Sequence, residues 1–236
     1  MNTLDRAQIA AHLKDLPSLP VAVTELLASF DNEEVEISRI AQLIARDQAL
    51  TARVLRVANS SFYGLQSRVS TINEAVVVLG FRAVRSMVLA VGLSARFSAA
   101  HCGGFDPSAQ LRHGVGVGLA ARVLARLSGH NPELAFTGGI LHDIGQLVLA
   151  ANFPEHYAAM LAYRNQHDCT LVVAERDVLG IDHGEVGGLL AETWHFPPAL
   201  REAAEAHHAP AASMAASLAD IIHVADEIAH ALGLAR

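Results

Sequence analysis

The sequence predicts an all-α protein. Alanine and leucine are abundant among its 236 residues and aromatic residues make up only 5%, a balance that favours helices over sheets. Apolar residues recur at helical spacing along the chain, and prolines, glycines and capping residues separate the resulting segments. The predicted architecture is a helical bundle preceded by an additional amino-terminal helical lobe.

The amino-terminal lobe is predicted to span residues 1–97. Its first helix follows Pro20, the second begins near Ile37 and the third begins near Asp47. Each has apolar residues at helical spacing on one face. Ser70 is a candidate cap for the next helix, and Gly80 separates that helix from the last one of the lobe. Paired glycines and a proline in residues 98–110 then predict a boundary between two domains.

The second domain is predicted to span residues 98–236 and to be helical throughout. Breaks that contain proline or glycine divide it into segments, and each segment has apolar residues at helical spacing. The predicted helices cover residues 109–128, 132–151, 154–167, 170–180, 183–195, 197–207 and 213–233.

Charge and composition exclude several classes of function. The net charge of −7 falls entirely in residues 93–236, so neither part forms the broad basic surface that non-specific nucleic-acid binding needs. The polar start of the chain does not resemble a secretory signal. Arginines at 82 and 85 interrupt the most apolar stretch before it could span a bilayer. We therefore expect a cytoplasmic protein with no membrane segment.

Histidine is concentrated in the second domain, where twelve of the thirteen histidines lie. Several of them, together with aspartates, stand on predicted apolar helices, where an unpaired polar group is costly. Each has an ordinary alternative, because a lone histidine can be a hydrogen-bonded core residue and Asp182 can cap a helix. As a set they match the ligands of borderline and hard divalent metals. The candidates are His113, His142, Asp143, His183, His207, His208 and a late aspartate, either Asp220 or Asp226.

Several ordered motifs resemble one protein family. They are "LPSLPVAVTELL" (16–27), "IAQLIARDQALTARVLRVANSSFYG" (40–64), "GGILHDIG" (138–145) and the segment 175–210, which ends in "HHAP". Together they resemble the HDOD domain (HD-related output domain), a branch of the HD phosphohydrolase superfamily that is related to the HD-GYP enzymes. The resemblance extends from about residue 16 to about residue 232.

The resemblance implies a metal site. In the wider superfamily, residues matching the candidates, with Asp226 as the late carboxylate, bind one or more metals that activate water for phosphate ester hydrolysis. The metal would be Fe, Mn, Zn or Mg. HD-GYP enzymes have a lysine after "HDIG", where this chain has Gln146, and they carry a Gly-Tyr-Pro signature that this chain lacks. Ala109 and Gly114 also depart from residues common in those enzymes.

A second candidate surface lies in the amino-terminal lobe. Arg46, Arg53, Arg56 and Asn59 are expected near one another on consecutive helices. They could bind a partner protein or a phosphorylated ligand. The alternative, which exposed arginines favour, is a solvated face with ion pairs to Asp47 or Glu33.

The sequence therefore supports three hypotheses about function. The first is a non-catalytic HDOD signal-transduction protein that acts through contact with a signalling partner and retains a divalent metal site. The second is a metal-dependent phosphohydrolase acting on a nucleotide or cyclic dinucleotide. The third is an adaptor whose polar cluster is metal-free and internally hydrogen-bonded.

Overall fold

The computed structural model describes residues 3–16, 19–28, 37–59, 64–94, 103–209 and 216–234, and in these ranges it contains helices and no strand. The all-α prediction is confirmed. In chain order the helices are α1 (Arg6–Lys14), α2 (Val21–Ala28), α3 (Ile37–Arg46), α4 (Gln48–Ala58), α5 (Ile72–Leu79), α6 (Phe81–Ser94), α7 (Pro107–Ser128), α8 (Pro132–Leu141), α9 (Ile144–Asn152), α10 (Pro154–His167), α11 (Leu171–Leu179), α12 (His183–Thr193), α13 (Pro198–Ala206) and α14 (Leu218–Ala231).

The chain divides into two compact units. The smaller is Ser18–Ala95, and the larger combines Met1–Pro17 with Arg96–Arg236. The division between residues 95 and 96 lies close to the predicted boundary segment 98–110, of which residues 98–102 fall outside the described residues and residues 107–110 belong to α7.

The first residues belong to the larger unit, which corrects their predicted assignment to the amino-terminal lobe. The Leu4 amide donates a hydrogen bond to the Leu179 carbonyl at 2.7 Å, and α1 packs against α12. Ile9 and Leu13 are buried on the inner face of α1. The periodicity of so short a helix carries no information about which core it completes.

The smaller unit is a helical lobe in which α4 and α2 pack against α6. The predicted start of α4 near Asp47 is confirmed, and Asp47 caps this helix, with its side chain accepting a hydrogen bond from the Leu50 amide at 2.9 Å. The cap of α5 is Thr71 rather than the predicted Ser70. Ser70 precedes the cap, and its amide donates to the carboxylate of Glu74 at 2.7 Å.

Asn59, which follows α4, is hydrogen-bonded to Val69, which precedes α5. Its amide nitrogen donates to the carbonyls of Leu55 (2.9 Å) and Val69 (2.8 Å), and its oxygen accepts from the Val69 amide (2.8 Å). The side chain therefore has a structural role in joining two parts of the backbone, and its place on a partner or ligand surface stays a prediction.

We expect Asn59→Ala to lower the free energy of unfolding of the smaller unit by about 1–3 kcal/mol, because it leaves partly buried backbone groups without partners. Urea denaturation measures this loss. Gln48→Ala, an exposed position on the same helix, is the matched control and should change little. Equal stability of both variants would show that the Asn59 bonds contribute nothing.

The larger unit is built around the close contact of α7 with α8 and α14. Glycines permit this approach: a Cβ on Gly139 would lie 2.6 Å from the Gly118 backbone, and one on Gly114 would lie 2.9 Å from the Ile140 carbonyl oxygen. The three glycines that the sequence places on α7 are thus explained in part by helix packing.

The predicted single helix over residues 132–151 is wrong, because the chain turns at His142 and Asp143 between α8 and α9. The stretch Pro132–Asn152 is long and apolar enough to cross a membrane by length and composition, and an 18-residue window within it has a mean hydropathy of 1.4. However, 83% of this window is buried inside the protein, which is typical of a core segment.

Candidate metal centre

His142 and Asp143 occupy the turn between α8 and α9, and both are buried. The Nδ1 of His142 contacts the Gly139 carbonyl oxygen at 2.7 Å, and its Nε2 lies 3.4 Å from Asp143 Oδ2. The break in the helix therefore brings an imidazole and a carboxylate to the same point in the core.

His113 on α7 and Asp226 on α14 meet at the same place. His113 Nε2 lies 2.9 Å from Asp226 Oδ1, but the contact lacks the direction of a hydrogen bond. This buried oxygen therefore has no hydrogen-bond partner in the described part of the chain. Asp226 is the late carboxylate of the cluster. Asp220 instead takes part in the capping box of α14, where its side chain accepts from the Ser217 amide at 2.7 Å.

Three further histidines complete the predicted set. His183 is the first residue of α12, and His207 and His208 directly follow α13. His183 Nε2 lies 2.9 Å from His208 Nε2 and 3.3 Å from His207 Nε2. The structure thus places all seven candidate residues in one cluster of adjoining groups.

Asp143 stands between the two sets of histidines. Its Oδ1 lies 3.1 Å from His183 Nε2 and 3.7 Å from His207 Nε2. Its Oδ2 lies 3.4 Å from His142 Nε2 and 3.8 Å from His113 Nε2. This arrangement suits a carboxylate that bridges two cation positions.

The hydrogen bonds of the imidazoles leave metal-binding atoms facing inward. The Nδ1 atoms of His113, His142 and His207 each contact a backbone carbonyl oxygen, at 3.2, 2.7 and 3.0 Å. A carbonyl only accepts, so in the neutral rings the proton sits on Nδ1 and the Nε2 lone pair faces the cluster. Lone pairs and carboxylate oxygens this close repel unless a cation lies among them. The donor set therefore fits a divalent metal ion.

Glu175 on α11 supports His183 and was missed in the sequence. It is fully buried, and its Oε2 lies 2.6 Å from His183 Nδ1 and 2.9 Å from the His183 amide nitrogen. A carboxylate in this position fixes the ring and raises the basicity of a histidine ligand. A glutamate on the apolar helix "LVVAERDVL" was the signal that could have revealed it.

We expect Glu175→Gln to weaken divalent metal binding by about 10- to 100-fold with little change in size or shape, because the imidazole of His183 loses its anionic partner. Titration with Co²⁺ measures the affinity, and circular dichroism verifies the fold. Glu202→Gln, exposed on α13, provides the control. If both variants bind equally well, Glu175 does not act on the metal site.

The cluster has an asymmetric charge distribution. Burial alone would lower the pKa of His183, but Glu175 and Asp143 outweigh it and raise that pKa to about 10. Burial lowers the pKa of His142 to about 4, and burial with the neighbouring imidazoles lowers that of His208 to about 3. Burial opposes the charge on Asp226, yet contacts with His113 and His142 bring its pKa to about 2. A proton on His183 is thus the cation of the metal-free cluster.

A cavity of about 490 Å³ lies beside the cluster, within the usual size of small-molecule sites. It gives the buried ligands access to a small molecule. Its lining comprises His113, Asp143, Gln146, Arg164, Thr170, Leu171, Val172, His183, His208, Asp226, Glu227 and His230.

Comparison with known proteins identifies the family. The HDOD domain family model matches residues 16–210, which is most of the chain. The chain belongs to the HDOD family. An HDOD domain protein of unknown function from Geobacter sulfurreducens has a similar structure, with a TM-score of 0.84, 26% identity, and coverage of 98% of this chain and 80% of the other.

Two further relatives match this HDOD protein. A proposed phosphohydrolase from Shewanella amazonensis SB2B is 32% identical, with a TM-score of 0.78, over 95% of this chain and 81% of the other. An uncharacterized protein of Treponema pallidum (strain Nichols) is 27% identical over 205 residues, which are 86% of this chain. This chain spans only 39% of that relative's length.

Two departures of this HDOD chain from the HD-GYP pattern have structural explanations. Gln146 Nε2 donates to Asp143 Oδ1 at 2.8 Å, and Tyr157 donates to Gln146 Oε1 at 3.3 Å. Gln146 thus orients the bridging carboxylate. Gly114 lies where α7 touches the backbone of α8, so a larger residue would not fit there.

The predicted arginine surface belongs to the other unit of this HDOD protein. Arg46, Arg53 and Arg56 are exposed on α3 and α4 in the Ser18–Ala95 unit. Glu33, one of their predicted ion-pair partners, lies outside the described residues. Their role as a partner surface stays a prediction.

Proposed function

We propose that this protein is a non-catalytic HDOD regulatory module that holds a divalent metal centre and acts by binding another signalling protein. The observation that carries the metal centre is the convergence of inward-facing Nε2 atoms and two buried carboxylates on one point. The ligands would be His113, His142, Asp143, His183, His207, His208 and Asp226. An adaptor with a metal-free cluster is less favoured, because several of these close contacts are not hydrogen bonds.

The donor set narrows the choice of metal. Imidazole nitrogen outnumbers carboxylate oxygen, and imidazole suits Fe and Zn, whereas Mg²⁺ prefers oxygen ligands and bound water. Mn²⁺ accepts carboxylates and lies between these classes. Iron, zinc or manganese is therefore the proposed occupant.

The residues around the cluster explain how the centre would be kept in place. Backbone carbonyls hold the rings of His113, His142 and His207, and Glu175 holds His183. Gln146 fixes Asp143 Oδ1, leaving Oδ2 toward His142 and His113. When bound, a metal ion in such a site lowers the pKa of coordinated water and polarises phosphoryl oxygens.

A metal-dependent phosphohydrolase is the second candidate function. The cavity beside the cluster favours it, since Arg164 in its lining offers a guanidinium group that suits a phosphate. The Shewanella amazonensis protein, itself a proposed phosphohydrolase, adds support through 32% identity. A nucleotide or cyclic dinucleotide would be the substrate class. Gln146 in the lysine position and the missing Gly-Tyr-Pro signature favour the regulatory function over this one.

A hydrolysis screen distinguishes the two functions. Protein loaded with Mn²⁺ or Fe²⁺ is incubated with phosphomonoesters, mononucleotides and cyclic dinucleotides, beside His142→Ala and Asp143→Ala variants. The regulatory proposal predicts that the wild-type rate equals the background of both variants. Turnover by the wild type that both substitutions abolish would establish the phosphohydrolase instead.

A further inference from the structure

His230 lies beside the predicted cluster, although sequence motifs did not select it. It is on α14, one helical turn after Asp226, so both side chains share a face. Its Nε2 lies 3.4 Å from Asp226 Oδ1, and its ring centroid lies 5.2 Å from that of His113. The Asp226–His230 spacing is the i, i+4 spacing by which a single helix presents two metal ligands.

With His230 the cluster has more donors than one ion accommodates. Six imidazoles and two carboxylates exceed the four to six positions of the metals that suit these ligands. The donors fall into three overlapping groups. One contains Asp143, His183, His207 and His208, a second contains His113, Asp226 and His230, and a third, of His113, His142 and Asp143, shares a member with each of the other two.

Asp226 Oδ1 is the common point of the second group. It is buried, it has no hydrogen-bond partner in the described residues, and it faces His113 Nε2 and His230 Nε2. The His113 Nε2 carries a lone pair, because its Nδ1 is engaged with the Leu234 carbonyl. A cation between these three atoms would satisfy the oxygen and both rings.

His230 is the member of the second group that meets solvent. Its side chain is 51% exposed, against 7% for Asp226 and 3% for His113. It also lines the 490 Å³ cavity. Water or substrate would approach an ion held by His113 and Asp226 from this cavity. His230 therefore lies on the side of the ion that such a molecule would reach first.

We infer that His230 is a metal ligand that closes the solvent side of a second ion position, formed with His113, Asp226 and the Oδ2 of Asp143. This inference rests on the proposed metal centre. Structural metal sites are closed by protein ligands, whereas catalytic sites keep a position open for water or substrate. With Asp143 Oδ2, His113 and Asp226 supplying three donors, His230 would fill the fourth position and make this ion structural, which accords with a regulatory rather than a catalytic role.

Titration of the metal-free 236-residue chain with Co²⁺ tests the inference. Azide is then added as a small competing ligand. In His230→Ala, the weaker of the Co²⁺ sites should bind at least about 10- to 100-fold less tightly than in the wild type. Azide should then bind the Co²⁺ at the vacated position and give a new absorption band. His230→Asp should recover much of the affinity, because a carboxylate also binds the ion. His167→Ala, an exposed histidine outside the cavity lining, should behave as the wild type.

The outcomes separate this inference from the proposed function. If the wild type binds Co²⁺ and His230→Ala matches it in affinity and azide response, His230 is no ligand and the metal centre stands without it. If the wild type binds no Co²⁺, the metal centre itself is wrong and the inference falls with it.

Discussion

Asp143→Ala is expected to remove almost all metal binding from this protein. The two oxygens of Asp143 face different sets of histidines, so the substitution takes a donor from both. Loss of a residue that merely supports a ligand costs about 10- to 100-fold in affinity, and loss of this bridging group should exceed about 100-fold. Isothermal titration with Zn²⁺ or Mn²⁺ measures the change.

Thermal unfolding gives an independent measure of the Asp143 effect. A ligand that binds only the folded state stabilises it, so added metal should raise the melting temperature of the wild type but not of Asp143→Ala. Asp220→Ala is the matched control, because Asp220 lies on α14 in a capping box and outside the cluster. It should lose some helix stability and keep the response to metal. An equal response in Asp143→Ala would contradict the proposed centre.

Gly145→Ala is expected to destabilise the larger unit by about 3 kcal/mol, the upper end of the usual cost of overpacking. Gly145 follows the His142–Asp143 turn, at the contact of α9 with α12. A Cβ at this position would overlap the carbonyl oxygen of His183 and lie 2.8 Å from the Gly187 amide nitrogen. Both obstacles are backbone atoms, so no side-chain rotation relieves them and the helices must separate.

The same separation would move His183 away from Asp143, so Gly145→Ala should also weaken metal binding. Chemical denaturation measures the stability. Gly103→Ala is the control, because a Cβ there meets no atom within 4 Å, and its effect should stay within about 0.5 kcal/mol. If Gly145→Ala were as stable as Gly103→Ala, the close packing of α9 on α12 would not hold Asp143 beside His183.

The sequence predicted those features that follow from a local pattern or from motifs of the HDOD family. Helical periodicity predicted the all-α fold, and the ordered HDOD motifs selected the seven residues that the structure brings together. Choosing Asp226 over Asp220 depended on that resemblance, since both aspartates lie on one apolar helix. Asp226 differs from Asp220 by its contacts with residues of α7 and of the turn after α8, and these helices are distant in sequence from α14.

The sequence was less informative about groups whose role depends on tertiary contacts. Glu175 supports His183 from a helix whose periodicity only shows that it is half apolar, and His230 gains its meaning from His113 on another helix. The turn at His142 was missed because the flanking residues favour a continuous helix. The structural role of Asn59 was missed, since its bonds to Val69 form only when the lobe folds.

Metal content is the most direct test of the central claim that the buried cluster is a metal centre. The full chain is purified without added metal and without chelators, and iron, zinc and manganese are measured by elemental analysis alongside Asp143→Ala. The account predicts that the wild type contains a divalent metal in near-stoichiometric amount and that the variant contains almost none. A wild type with no bound metal that also fails to take up any of the three ions would contradict it.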